Sequence, residues 1–408
     1  MKKLLAISPE AILPPKSGGS LRSTNLLVGL SKRLEVSVLI PQDKRSISKS
    51  LEDNSDLLGP HWIGITDLSA YIRLSSLDRF CVYYLRWREN RLRYNWRHLP
   101  WHWFFGSHHS WKLYLRKLSQ SYTPDFFLVE HTRNAAIFSY AKQLWPNVIC
   151  ICDSHNVESN LLLQVLPDTP KKNASVRRIQ KYERSIIKQC DVFWACSHDD
   201  LRHYQLIQQL PKISAVIPNG VKTDQIPFLR STIFNPLLLF IGNLGYEPNI
   251  EGVLWFFRQV WPELKTLWPN LQWQLVGSWA DQSILELDGD DIHVAVDVVS
   301  VLPYLEQASV AICPLFSGSG TRLKILEAFS AGVPVVATSR GAEGIEVIDG
   351  HHLLLANSAY EFGNAVHQLL SSAELCETLR AEARLLVEHN YDWDVITNHA
   401  SDLLLSFK

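Results

Sequence analysis

The densest chemistry in the chain lies in the stretch Ala311-Ile-Cys-Pro-Leu-Phe-Ser-Gly-Ser-Gly-Thr-Arg-Leu-Lys-Ile-Leu-Glu-Ala-Phe-Ser-Ala-Gly-Val-Pro-Val-Val-Ala-Thr338, which reads as strand, Gly-rich loop, helix, strand. Gly318 and Gly320 let the backbone turn tightly and approach a ligand. A helix opening near Thr321 aims unpaired N–H groups and a positive dipole end at the same space. Arg322 and Lys324 add full positive charge to a first turn that ordinarily favours Asp or Glu, so an anion is expected opposite them, a diphosphate being the obvious candidate. Glu327, one turn on, is acceptor-only when ionised and can bridge two neighbouring hydroxyls such as those of a ribose. A plain strand-to-helix turn, with Glu327 paired to Lys324 or Arg322, would use the same residues. No Gly-Lys-Ser/Thr triplet ends the loop, so nucleotide hydrolysis of the Walker A kind has no support.

Elements able to position such a loop are legible along the whole chain. Short apolar runs alternate with stretches of helical periodicity, the pattern of parallel strands covered by helices on both faces. Strands are expected at Leu4–Ser8, Val36–Pro41, Phe126–Glu130, Val148–Asp153, Val192–Ser197 and Ala215–Pro218. A second series follows at Leu237–Gly242, Gln272–Gly277, His293–Val298, Val310–Leu315 and Val333–Thr338. Between the series, Asn219-Gly220-Val221 and a polar stretch to about Pro236 have turn chemistry and no clear period. A chain of 408 residues exceeds what one core usually serves, so two domains are expected. His155 stands where a strand of the first series ends, the place at which α/β folds hold ligands.

Four motifs in order make the sequence resemble the retaining glycosyltransferases of family 4, over nearly its whole length. They are Gly18-Gly19 after the first strand, Asp153-Ser-His-Asn-Val-Glu158, Val216-Ile-Pro-Asn-Gly-Val221, and Gly318-Ser-Gly-Thr-Arg-Leu-Lys-Ile-Leu-Glu327. The resemblance implies the GT-B fold, two facing Rossmann-like doubly wound parallel-sheet domains, with the last helix crossing back to the first domain. It divides the chain into an acceptor-side domain at 1–222, a hinge at 223–235, a nucleotide-sugar domain at 236–390 and the crossing helix at 391–408. The implied catalytic residues are His155, which would contact the transferred sugar, and Arg322 and Lys324, which would hold the leaving diphosphate. The nucleotide-sugar site would be lined by Gly18, Gly19, Gly242, Asn243, Ser319, Gly320, Thr321, Arg322, Lys324 and Glu327. Lys16 and Arg22 would lie on the acceptor or membrane side.

The sequence departs from the commoner family pattern in two places. Ser319 stands where many members have Glu, eight residues before Glu327, and the loop Gly242-Asn-Leu-Gly-Tyr-Glu-Pro-Asn249 lacks the usual Arg and Lys. The identity of sugar and base is therefore unreadable. The implied reaction is sugar transfer from a nucleotide-sugar to a glycan or lipid-linked acceptor, with no cofactor and no metal, since no Asp-x-Asp or metal-ligand cluster accompanies the site. A GT-B-fold epimerase and a non-catalytic two-lobed sugar-binding protein are the rival expectations.

Composition narrows the setting. With 46% apolar and 20% charged residues and a formal charge of -1, the chain has ordinary globular make-up and no global field to attract nucleic acid. Seven cysteines without Cys-x-x-Cys spacing fit a reducing compartment. The apolar run at the N-terminus stops by Ser8 and no run is long enough to span a bilayer, so a cytoplasmic protein is expected, peripheral on the inner face of the plasma membrane if it meets lipid.

The segment from about 82 to 118 interleaves Trp87, Trp96, Trp101, Trp103 and Trp111 with Arg88, Arg91, Arg93 and Arg97. This suits an anionic lipid surface or a helix pair whose Trp residues fill the core, and by the logic of aromatic platforms and cations it has a weaker third reading as a single-strand nucleic-acid site. For the membrane reading, charge reversal at Arg88, Arg91, Arg93 and Arg97 is expected to release the protein from anionic vesicles in a flotation assay. Unchanged binding would leave the core-packing reading.

Overall fold

The structure, a computed structural model, describes residues 1–8, 12–15, 17–64, 108–165, 170–228, 236–318 and 321–407. The chain forms two compact units, Met1–Ile217 with Thr397–Lys408, and Pro218–Ile396. In the first, β1 (Lys3–Ile7), β2 (Glu35–Ile40), β3 (His61–Gly64), β4 (Phe126–Glu130), β5 (Ile149–Ser154), β6 (Val192–Ala195) and β7 (Ile213–Val216) pair in the order β3-β2-β1-β4-β5-β6-β7. In the second, β8 (Leu237–Asn243), β9 (Gln272–Ser278), β10 (Ile292–Val296), β11 (Val310–Cys313), β12 (Val335–Ala337) and β13 (Leu354–Leu355) pair in the order β10-β9-β8-β11-β12-β13. Every pairing between these strands is parallel.

A parallel sheet is covered on both faces, so its strands must be apolar throughout rather than alternating. That is why Phe126-Phe-Leu-Val129 and Leu238-Leu-Phe240 are buried at every position. Two strands were not evident from periodicity. β3 is four residues ending in Gly64, and β13 is only two residues, so neither is long enough to establish a period.

In both sheets the strand order reverses direction once, between β1 and β4 and between β8 and β11. Crossovers leave such a point toward opposite faces, which opens a crevice at the carboxyl ends of the strands. The loops that follow β1, β4, β8 and β11 are therefore the ones the topology opens to a ligand.

The last helix, Trp393–Leu405, begins within the second unit and belongs to the first from Thr397 onward. There Asp402 receives Arg33 at 2.5 Å, and Phe407 meets Phe126 edge to face. No helix of the described residues is long and apolar enough to cross a membrane.

Arg384 fastens the segment after Pro218 onto the second unit. It donates to the carbonyl of Ile226 at 2.9 Å, to that of Ser330 at 2.5 Å and to that of Thr223 at 3.3 Å. Arg384→Met keeps the apolar stem and removes this donor, an expected loss of about 1–3 kcal/mol. It should appear as a lower urea midpoint for the second unit, with the first unit's transition unmoved.

Candidate functional site

In the first unit the chemistry gathers at the ends of β1, β4 and β5. Ser17 caps the helix Gly18–Ser31, accepting from Ser20 N at 3.2 Å while Ser20 Oγ accepts from Ser17 N at 2.8 Å. This reciprocal box puts Gly18 and Gly19 in the first turn, where N–H groups lack intrahelical partners. A methyl group built on Gly19 would lie 3.8 Å from His155 Nδ1, so the Gly-Gly turn and His155 are neighbours.

Arg22, one turn further along that helix, faces inward. At 1% exposed it is not on an acceptor or membrane side, which corrects the expectation drawn from the resemblance. Its Nε donates to Asp153 Oδ2 at 3.1 Å, its Nη2 to Asp153 Oδ1 at 2.5 Å and its Nη1 to the Ile217 carbonyl at 2.7 Å. The physical reason is the buried Asp153 at the end of β5, which needs a counter-charge. Burial by itself would raise the Asp153 carboxyl, but the Arg22 charge and the contact with His155 hold it well below the usual carboxylate range.

His155 follows directly, its Nε2 3.4 Å from Asp153 Oδ2. Its ring lies against that of His131, with centroids 4.0 Å apart. His131 occupies the left-handed region at φ 61, just after β4. Burial, then the charges of His155, Arg133 and Arg22, keep His131 neutral by pushing its pKa well down. Glu130 beside it is pushed up by burial.

His131 is a residue that sequence reasoning missed. The signal was available, because it ends the strand Phe126–Glu130 just as His155 ends the next one.

In the second unit the loop after β11 leads into the helix Leu323–Ala331, with Arg322 at its N-cap and no acidic residue in its first turn. The Arg322 guanidinium is buried; it donates to the Ser317 carbonyl at 3.4 Å and lies 3.4 Å from where a Cβ on Gly318, φ 96, would stand. Thr321 directly precedes Arg322. Lys324 crosses to the end of β8. Its Nζ donates to Asn249 Oδ1 at 2.9 Å and sits 4.0 Å from the centre of the Phe240 ring. Asn249 in turn donates to the Asn243 carbonyl at 2.7 Å.

A Cβ on Gly242 would stand 2.8 Å from Lys324 Nζ and 3.0 Å from Asn249 Nδ2, so a side chain here would displace the tips of both from their present positions. Burial, with Arg322 adding to it, lowers the Lys324 pKa to about 8. Glu327, on the same helix, is raised to about 7 by burial against the pull of Lys324. Asn249 is the second residue missed, an amide that reads as part of a loop until the lysine is seen to reach it.

The predicted residues thus fall into two sets. Gly18, Gly19 and His155 meet in the first unit, with Arg22 behind them. Gly242, Asn243, Thr321, Arg322, Lys324 and Glu327 gather in the second. Lys16, Ser319, Gly320, Arg88, Arg91, Arg93 and Arg97 lie outside the described residues. Among the described residues no group of three or more His, Cys, Asp and Glu side chains could hold a metal ion.

Fold and site together define a chain of two Rossmann-like units of the GT-B class. Solved structures of that fold align over the whole chain: sucrose-phosphate synthase from Thermosynechococcus elongatus at a TM-score of 0.71 and 14% identity, covering 100% of this chain and 99% of that one. The Anabaena protein HepE in complex with UDP aligns at 0.69 and 12%, covering 100% of both. Residues 235–372 match the family model of glycosyl transferases group 1. A phosphatidyl-myo-inositol mannosyltransferase of Propionibacterium freudenreichii is 27% identical over 191 residues, 44% of this chain and 48% of the relative. The chain spans about half the length of the curated relatives it matches.

Arg22→Met would leave Asp153 buried without its counter-charge, an expected cost of about 3–5 kcal/mol at neutral pH. The Asp153 carboxyl is depressed in the fold, so its stabilising contribution is present above the ordinary Asp value of about 4 and is lost as pH falls through the folded-state value. The gap between wild type and Arg22→Met in urea titrations should therefore narrow on acidification below about pH 4.

Proposed function

We propose that the chain is a retaining, metal-independent glycosyltransferase of the family 4 type, moving a sugar from a nucleoside diphosphate sugar to a glycan or lipid-linked acceptor. The observation that carries this is Lys324, a cation brought beside a helix N-terminus and given a neutral amide, Asn249, as its partner rather than a carboxylate. A buried ammonium without a carboxylate is costly unless a ligand supplies the negative charge. Arg322 at the same N-cap doubles the positive charge offered to a diphosphate.

In this reading the diphosphate rests on Arg322, Lys324 and the N–H groups opening the helix Leu323–Ala331, and Glu327 accepts from the ribose hydroxyls. His155, its ring steadied by Asp153, contacts the transferred sugar. The bond between the anomeric carbon and the diphosphate oxygen breaks as the acceptor oxygen bonds to that carbon from the same face, and the acceptor proton passes to the departing phosphate oxygen. Arg322, Lys324 and the helix dipole offset the charge that develops on the leaving group. Support for the nucleotide comes from HepE, solved with UDP and with UDP-glucose. A lipid-borne acceptor is supported by the phosphatidyl-myo-inositol mannosyltransferase relative. The chain is expected to work in the cytoplasm, at the inner face of the plasma membrane where it meets such an acceptor.

Thermal-shift titration with UDP, GDP, ADP and their sugars, without metal, tests the reading. One base series at 100 times its Kd should stabilise the wild type by about 2.7 kcal/mol, and Arg322→Ala, Lys324→Ala and Glu327→Ala should lose the shift. No stabilisation by any nucleotide, with all variants folded, would overturn it.

A pH series gives a second test. Glu327 can accept from both ribose hydroxyls when ionised, the form that dominates above about 7, while Lys324 loses its charge above about 8. Nucleotide affinity should therefore peak between these values, and Glu327→Gln should remove the acid limb.

A further inference from the structure

Next to the segment that carries His155 lies a carboxyl group with no part in the site described above. Glu183, on the helix Pro170–Ile187, is 0% exposed. Its Oε1 lies 3.4 Å from Ser159 N and 3.5 Å from the Tyr204 hydroxyl, both at the long limit of a hydrogen bond, and its Oε2 has no hydrogen-bond partner among the described residues. Asp153, equally buried, receives two bonds from Arg22. A carboxylate withdrawn from water needs such donors, and Glu183 lacks them, so the geometry favours the neutral acid. Burial pushes its pKa the same way, up to about 7 against the pull of Ser159.

The fully buried Tyr204 hydroxyl makes this proton matter. It donates to the Asn156 carbonyl at 2.9 Å and lies 2.7 Å from Ser154 Oγ, which itself reaches that carbonyl at 3.0 Å. Ser154 and Asn156 are the two chain neighbours of His155, so these bonds clamp the backbone on either side of it. A phenol has a single proton to give. A neutral Glu183 donates to the Tyr204 oxygen and leaves the Tyr204 proton for Asn156. An ionised Glu183 draws that proton to itself, because a hydrogen bond to a charged acceptor is about twice as strong as a neutral one. The Asn156 carbonyl then keeps only Ser154.

Among the described residues, the titratable side chains that act on Glu183 are Glu158 at the start of the helix Glu158–Val165, Tyr204 on the helix His198–Ile207, and Cys152 on β5. Burial raises Tyr204 and Cys152 well above their ordinary values, so both stay protonated. Glu158 lies 3.4 Å from Arg133 and 3.9 Å from His131, and its charge works to keep the proton on Glu183.

We propose that Glu183 is a positioning residue for His155, a neutral acid whose proton leaves the Tyr204 hydroxyl bonded to Asn156 and so fixes the segment 154–159. Loss of that proton releases the segment from Tyr204. The bearing of this on sugar transfer rests on the reading of His155 as the sugar contact, but its test does not.

NMR of the isotope-labelled full chain, titrated across neutral pH, reads the Asn156 carbonyl and the Ser159 amide in wild type, Glu183→Gln, Tyr204→Phe and His155→Gln. Glu183→Gln keeps a neutral donor of the same shape. The Asn156 carbonyl should shift in one step near pH 7 in wild type and in His155→Gln, and hold still in Glu183→Gln. Tyr204→Phe should keep the step at Ser159, which meets the carboxyl directly, and lose it at Asn156. Urea midpoints add a second reading. A carboxyl raised in the fold contributes stability that is fully present below its ordinary value of about 4 and is lost as pH rises through about 7, so wild type should fall progressively behind Glu183→Gln over that range and no further above it.

A wild-type Asn156 carbonyl that does not move near pH 7 would overturn the proposal, and that result needs no variant. A step that survives in Glu183→Gln, or at Asn156 in Tyr204→Phe, would do the same. So would a step absent from His155→Gln, which assigns the titration to the imidazole, or a urea gap independent of pH. If Glu183→Gln does not fold, wild type and Tyr204→Phe decide by the same criteria.

Discussion

A guanidinium and a carboxylate, both withdrawn from water, hold the first unit in the form its site requires. Removing either ion from water costs several kcal/mol, and the cost is recovered only where geometry is good and the remaining donors are used. Arg22 meets both conditions, with two bonds to Asp153 and a third to the carbonyl of Ile217. Three elements are tied by that one side chain: the helix that opens with Gly18-Gly19, the strand β5 that delivers His155, and the chain just past β7. His155 then has a fixed anion on one edge and the neutral ring of His131 against its face. A histidine so held presents its other nitrogen in a set direction, and the lack of a side chain at Gly19 keeps the space beside it open.

The second unit solves a related problem by different means. There Lys324 Nζ meets the amide oxygen of Asn249 and not a buried carboxylate as Arg22 does. Lys324 is instead steadied by an amide and by the face of Phe240, contacts that orient an ammonium without cancelling its charge. The result is a lysine whose pKa is brought down to about 8 and a glutamate raised to about 7 on the same helix. An anion placed beside the lysine would favour its charged form, and hydroxyl donors would favour ionised Glu327.

Both arrangements depend on the same topological fact. In each sheet the strand order reverses once, and the loops on either side of the reversal carry polar groups, joined in the first unit by Asp153 and His155 at the end of the next strand, β5. The apolar strands have no freedom to vary, since both their faces are covered. The loops at their carboxyl ends are where charge, glycine and strained backbone can be placed without loss of the core. His131 is one outcome of that freedom, a large side chain on a left-handed backbone.

The sequence by itself determined the class of fold and the positions of most strands, because apolar runs and helical periods are local properties written in consecutive residues. It also marked the Gly-rich loop with Arg322, Lys324 and Glu327, whose chemistry depends on spacing within one turn of helix. Strands as short as β3 and β13 left no period to read. Tertiary structure alone decided which charge meets which partner. Arg22 and Asp153 are 131 positions apart and Lys324 and Asn249 are 75 apart, so nothing in local pattern relates them. Arg22 beside Gly18-Gly19 was expected on the acceptor or membrane side, and the structure turns it inward, where the buried carboxylate at the end of β5 needs a counter-charge and the helix supplies one within reach.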